Sequence, residues 1–299
     1  MTSYVLTLIG NASSAPLEPL HIEAVRRDLA ATGSVNWLAD EEACDIFFES
    51  PLLATEIAER ARLTLPDIAL DAVCTDLGGR RKKRLLISDM DSTIIEQECI
   101  DELGDAMDVG SQISEITSAA MSGELEFFDA LRKRLSLIKG LERHVLKNIL
   151  EERISLTVGA RTLVQTMRHH GAFCVLVSGG FEYFTSRIAE RVGFQAHQGN
   201  RLAFEDEKLT GEVMEPVLGR SAKLHSLNAH CNDMHLAHSD VLAVGDGAND
   251  IEMIKAAGLG VAFHGVDVLR TEADACINHG DLTAILYAQG FRKSEFVLS

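Results

Sequence analysis

Leu85-Leu-Ile-Ser-Asp-Met-Asp-Ser-Thr93 is the stretch on which the reading of this chain turns. A short apolar run of this kind suits a strand covered on both faces, and two aspartates stand at its carboxyl end. Two positions apart at a strand end, Asp89 and Asp91 can point to one side. Like charges that close do not both stay ionised comfortably without a cation or a shared proton. A hard divalent cation bound by oxygen ligands resolves the conflict, and magnesium is the usual one where a phosphate completes the coordination. One carboxylate could then attack phosphorus while the other handles protons. An Asp-x-Asp pair alone is more often a solvated turn, so the reading depends on which residues share its edge.

Beyond this run, short apolar segments alternate with helical patterns: Arg84–Ile87, Ala172–Val177, Val241–Val244, Gly260–Phe263 and Ala275–Ile277. That alternation predicts an α/β fold, a Rossmann-like parallel sheet covered by helices. Open parallel sheets bind ligands outside the carboxyl ends of their strands. Those ends carry Asp89-Met90-Asp91-Ser92-Thr93, then Ser178-Gly179-Gly180, then Gly245-Asp246-Gly247-Ala248-Asn249-Asp250. Four carboxylates and a hydroxyl would share one edge. Residues 100–155 lack a strand signal and read as an inserted helical cap. A turn-rich hairpin is expected over residues 195–216, on Leu202–Phe204 and Gly211–Val213.

Residues 1–78 read as strand, helix, strand, strand, helix, strand, the split βαβ order of a small α+β ferredoxin-like domain. The segments are Tyr4–Ile9, Pro19–Ala31, Ser34–Leu38, Cys44–Glu49, Pro51–Leu63 and Asp67–Val73. Residues 79–299 then form the second domain. The basic run Arg80–Arg84 between the two is expected to be a solvated linker.

At 299 residues, a large and a small domain are expected, and 46% hydrophobic residues supply enough material for a core. The net charge of −17 argues against nucleic-acid binding, which depends on phosphate neutralisation by cations. A small anionic substrate is still compatible, because a few placed cations and a metal reverse the local potential. The six cysteines contain no Cys-x-x-Cys pair, several sit in apolar runs, and a reducing cytoplasmic setting is expected. No apolar run approaches a membrane span, and the apolar stretch Tyr4–Ile9 has no basic residue before it. The cluster His225, His230, Cys231, His235 and His238 reads as an ordinary helix and loop, not a zinc site.

In order and position, the three strand-end motifs and Lys223 resemble the haloacid dehalogenase superfamily of phosphatases. The resemblance implies that Asp89 forms an aspartyl-phosphate and that Asp91 protonates the leaving alkoxide and then activates water. It implies magnesium held by Asp89, the Asp91 carbonyl and Asp246, with Asp250 in support. Ser178, the Gly179 N–H, Lys223 and Asn249 would grip the phosphoryl oxygens. An aspartate at position 91 implies a phosphatase or phosphomutase. The stretches DMDSTIIEQECIDELGD (residues 89–105) and MSGELEFFDALRKR (residues 121–134) further resemble the phosphoserine phosphatase family. By that resemblance Glu98 meets a substrate ammonium, Arg134 meets its carboxylate, and Met121 and Phe127 close over it. Spacing alone does not choose among Arg132, Lys133 and Arg134.

The similarity covers about Arg84 to Gly290 and implies hydrolysis of O-phosphoserine, the last step of serine biosynthesis. The N-terminal domain is similar in element order to ACT domains, but Gly10-Asn11-Ala12-Ser13-Ser14-Ala15 lacks their usual glycine–aspartate loop. A structural or homodimerising role is expected for it. Two alternatives stand beside this reading. One is the same chemistry on another small phosphomonoester, or phosphoryl transfer to another acceptor. The other is an amino-acid-binding regulatory module, against which the intact Asp89, Asp91, Lys223 and Asp246 speak.

Overall fold

The computed structural model describes residues 1–121, 125–219 and 221–298. The N-terminal part consists of β1 (Thr2–Ile9), α1 (Pro19–Asp28), β2 (Val35–Ala39), β3 (Ala43–Ser50), α2 (Ala54–Thr64) and β4 (Asp71–Asp76). Next come β5 (Leu85–Ser88) and four helices, α3 (Cys99–Asp105), α4 (Gly110–Met121), α5 (Phe127–Leu137) and α6 (Arg143–Glu152). The remaining elements are α7 (Ala160–His169), β6 (Phe173–Phe181), α8 (Glu182–Val192), β7 (Ala196–Glu205), β8 (Lys208–Met214) and α9 (Ala222–Met234). The chain closes with β9 (Val241–Gly245), α10 (Ile251–Ala256), β10 (Leu259–Phe263), α11 (Asp267–Arg270), β11 (Ala275–Ile277) and α12 (Ala284–Ala288).

These elements divide into two compact units. One holds Met1–Ile87, Val158–Cys174 and Leu227–Ser299; the other holds Ser88–Thr157 and Val175–Ser226.

In the first unit, an antiparallel sheet ordered β2-β3-β1-β4 gives the ferredoxin-like arrangement expected. Pro19 opens α1, where its fixed φ suits the first helical turn. Ile22 and Val25 of α1 and Ile57, Ala58 and Ala61 of α2 bury against Tyr4, Leu6 and Leu8 of β1. The alternate residues Val5, Thr7 and Ile9 are buried too, which is why β1 reads as a continuous apolar run. Their face lies outside that cluster, and Thr7 turns toward Asp45 and Arg81. The same unit contains the parallel strands β9, β10 and β11.

The basic run departs from the solvated linker expected of it. Arg81 places two N–H groups on the Asp45 carboxylate, each at 2.7 Å, and donates to Thr7 Oγ1 and the Ala288 carbonyl. Lys82 pairs with Glu295 at 2.7 Å and lies over the Phe291 ring. The reason is charge: Asp45 is buried, and a buried carboxylate needs a cation within reach. A charge run in sequence does not disclose that partner.

Asp71, at the start of β4, is fully buried and accepts N–H bonds from Asn278, His279 and Gly280, the loop after β11. Asp71→Asn keeps the shape and replaces one acceptor with a donor facing those N–H groups. It is expected to cost about 1–3 kcal/mol of stability, read as a lower urea midpoint with an unchanged slope.

In the second unit, α3 to α6 form the helical segment expected over residues 100–155. β6 and β7 pair in parallel, and β7 and β8 pair antiparallel. The expected hairpin therefore accounts for only part of the segment: β7 begins at Ala196, and its first residues extend the sheet beside β6 before it turns back. The stretch His197-Gln198-Gly199-Asn200 is polar and carries no strand signal, so only the pairing discloses it. No helix among the described residues is long and apolar enough to cross a membrane.

Candidate active site

β5 ends at Ser88, and the chain turns immediately so that Asp89 and Asp91 are both buried. Asp89 Oδ1 accepts the Met90 N–H at 2.7 Å, which fixes the carboxylate's rotation. Asp89 Oδ2 lies 2.6 Å from Lys223 Nζ, and this lysine is 4% exposed. A charge that deep requires an anionic partner, so the sequence-predicted Lys223 faces the sequence-predicted Asp89 directly.

Asp91 is held from both sides. Its Oδ1 accepts the Cys99 N–H at 2.9 Å from the start of α3, and its Oδ2 accepts the Ser178 hydroxyl at 2.9 Å. Ser178 Oγ in turn accepts the Gly180 N–H at 2.8 Å. Gly180 is needed there, because a Cβ would come within 2.9 Å of Ser178 Oγ and 3.0 Å of Asp91 Oδ2. The Cys99 thiol is no rival nucleophile: burial first, and the Asp91 charge second, push its pKa well above the usual thiol range.

Asn200 is a residue that sequence reasoning did not find. It is 1% exposed, donates from Nδ2 to the Gly179 carbonyl at 2.8 Å, and accepts the Leu218 N–H at 2.7 Å. It thereby fixes the peptide next to Ser178 and the loop that leads toward Lys223. A lone Asn after a strand start is the only signal in the sequence.

The positions expected to meet the amino-acid part of a substrate lie at the start of α3 and on α4 and α5. Glu98 caps α3 and accepts the Ser92 hydroxyl at 2.6 Å. Ser92 itself takes φ 54°, a conformation rare for a residue with a side chain and concentrated at functional sites. Arg134 lies in the last turn of α5, half-buried, while Arg132 and Lys133 are exposed. Burial lowers the Arg134 pKa, and the carboxylates of Asp101 and Glu98 oppose that shift. Its Nη1 donates to Thr117 Oγ1 at 3.3 Å. Phe127, at the start of α5, stands 3.8 Å from where a Gly179 Cβ would be. Met121 closes α4, and its side chain lies outside the described residues.

The third strand-end motif belongs to the first unit. β9 ends at Gly245, and Asp246 comes next, half-buried, its carbonyl accepting the Val266 N–H at 2.9 Å. Asp250 is fully buried, and its Oδ2 accepts the Gly247 N–H at 3.1 Å. Asn249 between them is exposed.

The chain is similar to known proteins over most of its length. The family described as haloacid dehalogenase-like hydrolase matches residues 86–255. A phosphoserine phosphatase from Archaeoglobus fulgidus is 40% identical over 233 residues, 78% of this chain and 67% of that protein. One from Streptomyces coelicolor is 36% identical over 83% of this chain and 59% of its own length. The chain thus spans between about half and two thirds of the first curated relatives it matches. Among solved structures, a phospho-aspartyl intermediate analogue of phosphoserine phosphatase superposes with a TM-score of 0.64 at 39% identity, covering 69% of this chain and 98% of that one. A haloacid dehalogenase family hydrolase from Salmonella enterica shares the fold over 99% of this chain and all of its own, at 23% identity and a TM-score of 0.86.

Proposed function

We propose, for a chain that belongs to the haloacid dehalogenase-like hydrolases and within them to the phosphoserine phosphatase family, that it hydrolyses O-phosphoserine to serine and phosphate. The observation that carries the reading is the buried contact of Lys223 with Asp89, next to the contact of Ser178 with Asp91. A carboxylate paired with a buried lysine has its charge held in place for attack on an anionic phosphoryl group. A second carboxylate beside it, hydrogen-bonded on both oxygens, is oriented for proton transfer.

In the first step an oxygen of Asp89 attacks phosphorus, the bond from phosphorus to the serine oxygen breaks, and Asp91 gives its proton to that oxygen. Serine leaves. Asp91, now a carboxylate, takes a proton from water as that water attacks the aspartyl-phosphate. The bond from Asp89 to phosphorus breaks, and phosphate is released with Asp89 restored. With substrate bound, Ser178 would turn its hydroxyl from Asp91 to a phosphoryl oxygen, the Gly179 N–H, Lys223 and Asn249 would donate to the others, and phosphoryl transfer gains chiefly from such positioning.

A magnesium ion fits the donor set. Asp89 in one unit and Asp246 and Asp250 in the other each offer hard carboxylate oxygens, the donor type that magnesium takes. Asp89, the Asp91 carbonyl and Asp246 would hold it, with Asp250 steadying the set. When bound, it neutralises charge on the phosphoryl oxygens. The absence of any Cys-x-x-Cys pair among the six cysteines supports a reducing, cytoplasmic setting.

The substrate assignment rests on Glu98 for the ammonium and Arg134 for the carboxylate, whose planar fork suits two parallel donors. Phosphate release across a panel of phosphomonoesters is expected to favour O-phosphoserine. Arg134→Ala is expected to lower kcat/KM for it by roughly 100-fold, the scale of a lost charge-assisted pair. A flat panel, or full activity of the variant, would overturn the assignment.

A further inference from the structure

Thr117 stands in the middle of α4, where a β-branched hydroxyl residue is a weak helix former. Its hydroxyl donates to the Ile113 carbonyl one turn back, at 3.0 Å. With its only proton so committed, Oγ1 is left as an acceptor, and it is the acceptor that Arg134 Nη1 meets. The β-branch restricts χ1, and Ile113 beneath it is fully buried, so the acceptor sits at a fixed place.

Among the described residues, Arg134 Nε is enclosed and has no hydrogen-bond partner. Glu98 and Asp101 lie near enough to favour the Arg134 charge. A carboxylate in place of Thr117 would neutralise the guanidinium and could take two of its donors at once. A hydroxyl takes one donor, sets the plane of the fork, and leaves the charge and the other donors to a ligand. An enclosed guanidinium donor without a partner is costly unless a ligand completes it.

Resting on the function proposed above, we propose that Thr117 is a positioning residue that turns the Arg134 guanidinium toward the carboxylate of the amino-acid phosphate ester. It touches neither phosphorus nor the leaving oxygen, and its effect is on selectivity for substrates that carry a carboxylate.

The test compares O-phosphoserine with O-phosphoethanolamine, which keeps the ammonium and lacks the carboxylate, in wild type, Thr117→Val, Thr117→Ser and Arg134→Ala. Valine keeps the shape and removes the acceptor; serine keeps the hydroxyl. The ratio of the two kcat/KM values is the readout, since any loss of folded protein cancels in it. In Thr117→Val the ratio is expected to fall roughly tenfold, chiefly through KM for O-phosphoserine, as for one lost hydrogen bond to a charged group. In Thr117→Ser it is expected to return toward wild type. An unchanged ratio in Thr117→Val, or an equal loss in Thr117→Ser, overturns the proposal. If the ratio falls in Arg134→Ala but holds in Thr117→Val, the Thr117 assignment alone fails. If it holds in Arg134→Ala as well, the carboxylate-reading role of Arg134 fails and takes this proposal with it.

Discussion

Asp89→Asn is expected to lower phosphate release by roughly 10⁴- to 10⁶-fold, the scale of removing an attacking group on which both chemical steps depend. The substitution is close to isosteric, and an asparagine oxygen can still accept the Met90 N–H that Asp89 Oδ1 accepts. The other position is where the change falls. Asp89 Oδ2 faces Lys223 Nζ at 2.6 Å, and an amide NH₂ there sets donor against donor. The variant is therefore expected to lose the proposed attacking group and to weaken the buried contact with Lys223, at a cost of about 1–3 kcal/mol in stability. Circular dichroism and a denaturant titration on the same preparation separate the two losses. A folded Asp89→Asn protein that retains more than about one hundredth of wild-type turnover would remove Asp89 as the attacking group.

The contacts of Asp91 suit the proton-carrying role proposed for it. Each of its oxygens already accepts a hydrogen bond, from Cys99 N–H and from the Ser178 hydroxyl. Those bonds fix its direction, which is what the proposed proton carrier requires. Asn200 extends the same arrangement outward: by holding the Gly179 carbonyl it fixes the peptide on the far side of Ser178. The chain of Asn200, Gly179, Ser178 and Asp91 joins the end of β6 to the end of β5 through polar contacts that hydrophobic patterning cannot report.

That distinction explains which features were legible in the sequence. The strands were legible because Leu85–Ile87, Val241–Val244 and Ala275–Ile277 are apolar runs too short for helices. Asp89, Asp91 and Ser178 stood out because open parallel sheets bind ligands beyond the apolar runs of their strands, while their roles, and the choice of Lys223, rest on the family resemblance. The start of β7 was not, because His197–Asn200 is held by pairing with β6, not by apolar burial. Arg134 could not be told from Arg132 and Lys133 by spacing, since consecutive helical residues point about 100° apart and the packed face is set by neighbouring helices. Thr117 and Asn200 stayed hidden for a related reason: the polar partners that give them a role, Arg134 and Gly179, lie 17 and 21 residues away. Arg81 is the plainest case, a member of a basic run whose partner, Asp45, is on a strand of the preceding domain.

Arg81→Ala is expected to destabilise the protein by about 3–5 kcal/mol, the cost of leaving a buried carboxylate without its cation. The Asp45 side chain is 2% exposed and that of Arg81 17%, so solvent does little to screen the pair. Both carboxylate oxygens are bound by the guanidinium at 2.7 Å, and Thr7 donates its hydroxyl to Oδ1 at 2.9 Å while accepting from Arg81 Nη2. The same guanidinium reaches the Ala288 carbonyl at 3.1 Å, so its loss also removes one of the contacts that hold the C-terminal helix to the N-terminal sheet. Gly290 lets it pass: at φ 79° that residue has no side chain, and a Cβ there would come within 2.6 Å of Arg81 Nη1. The pair is tested by a double-mutant cycle in urea. Asp45→Ala with Arg81→Ala is expected to cost less than the two single losses added, because the double variant no longer buries an unpaired charge. Strict additivity, or a single Arg81→Ala loss below about 1 kcal/mol, the range of an exposed pair, would show that this contact does not join the N-terminal domain to the C-terminal segment.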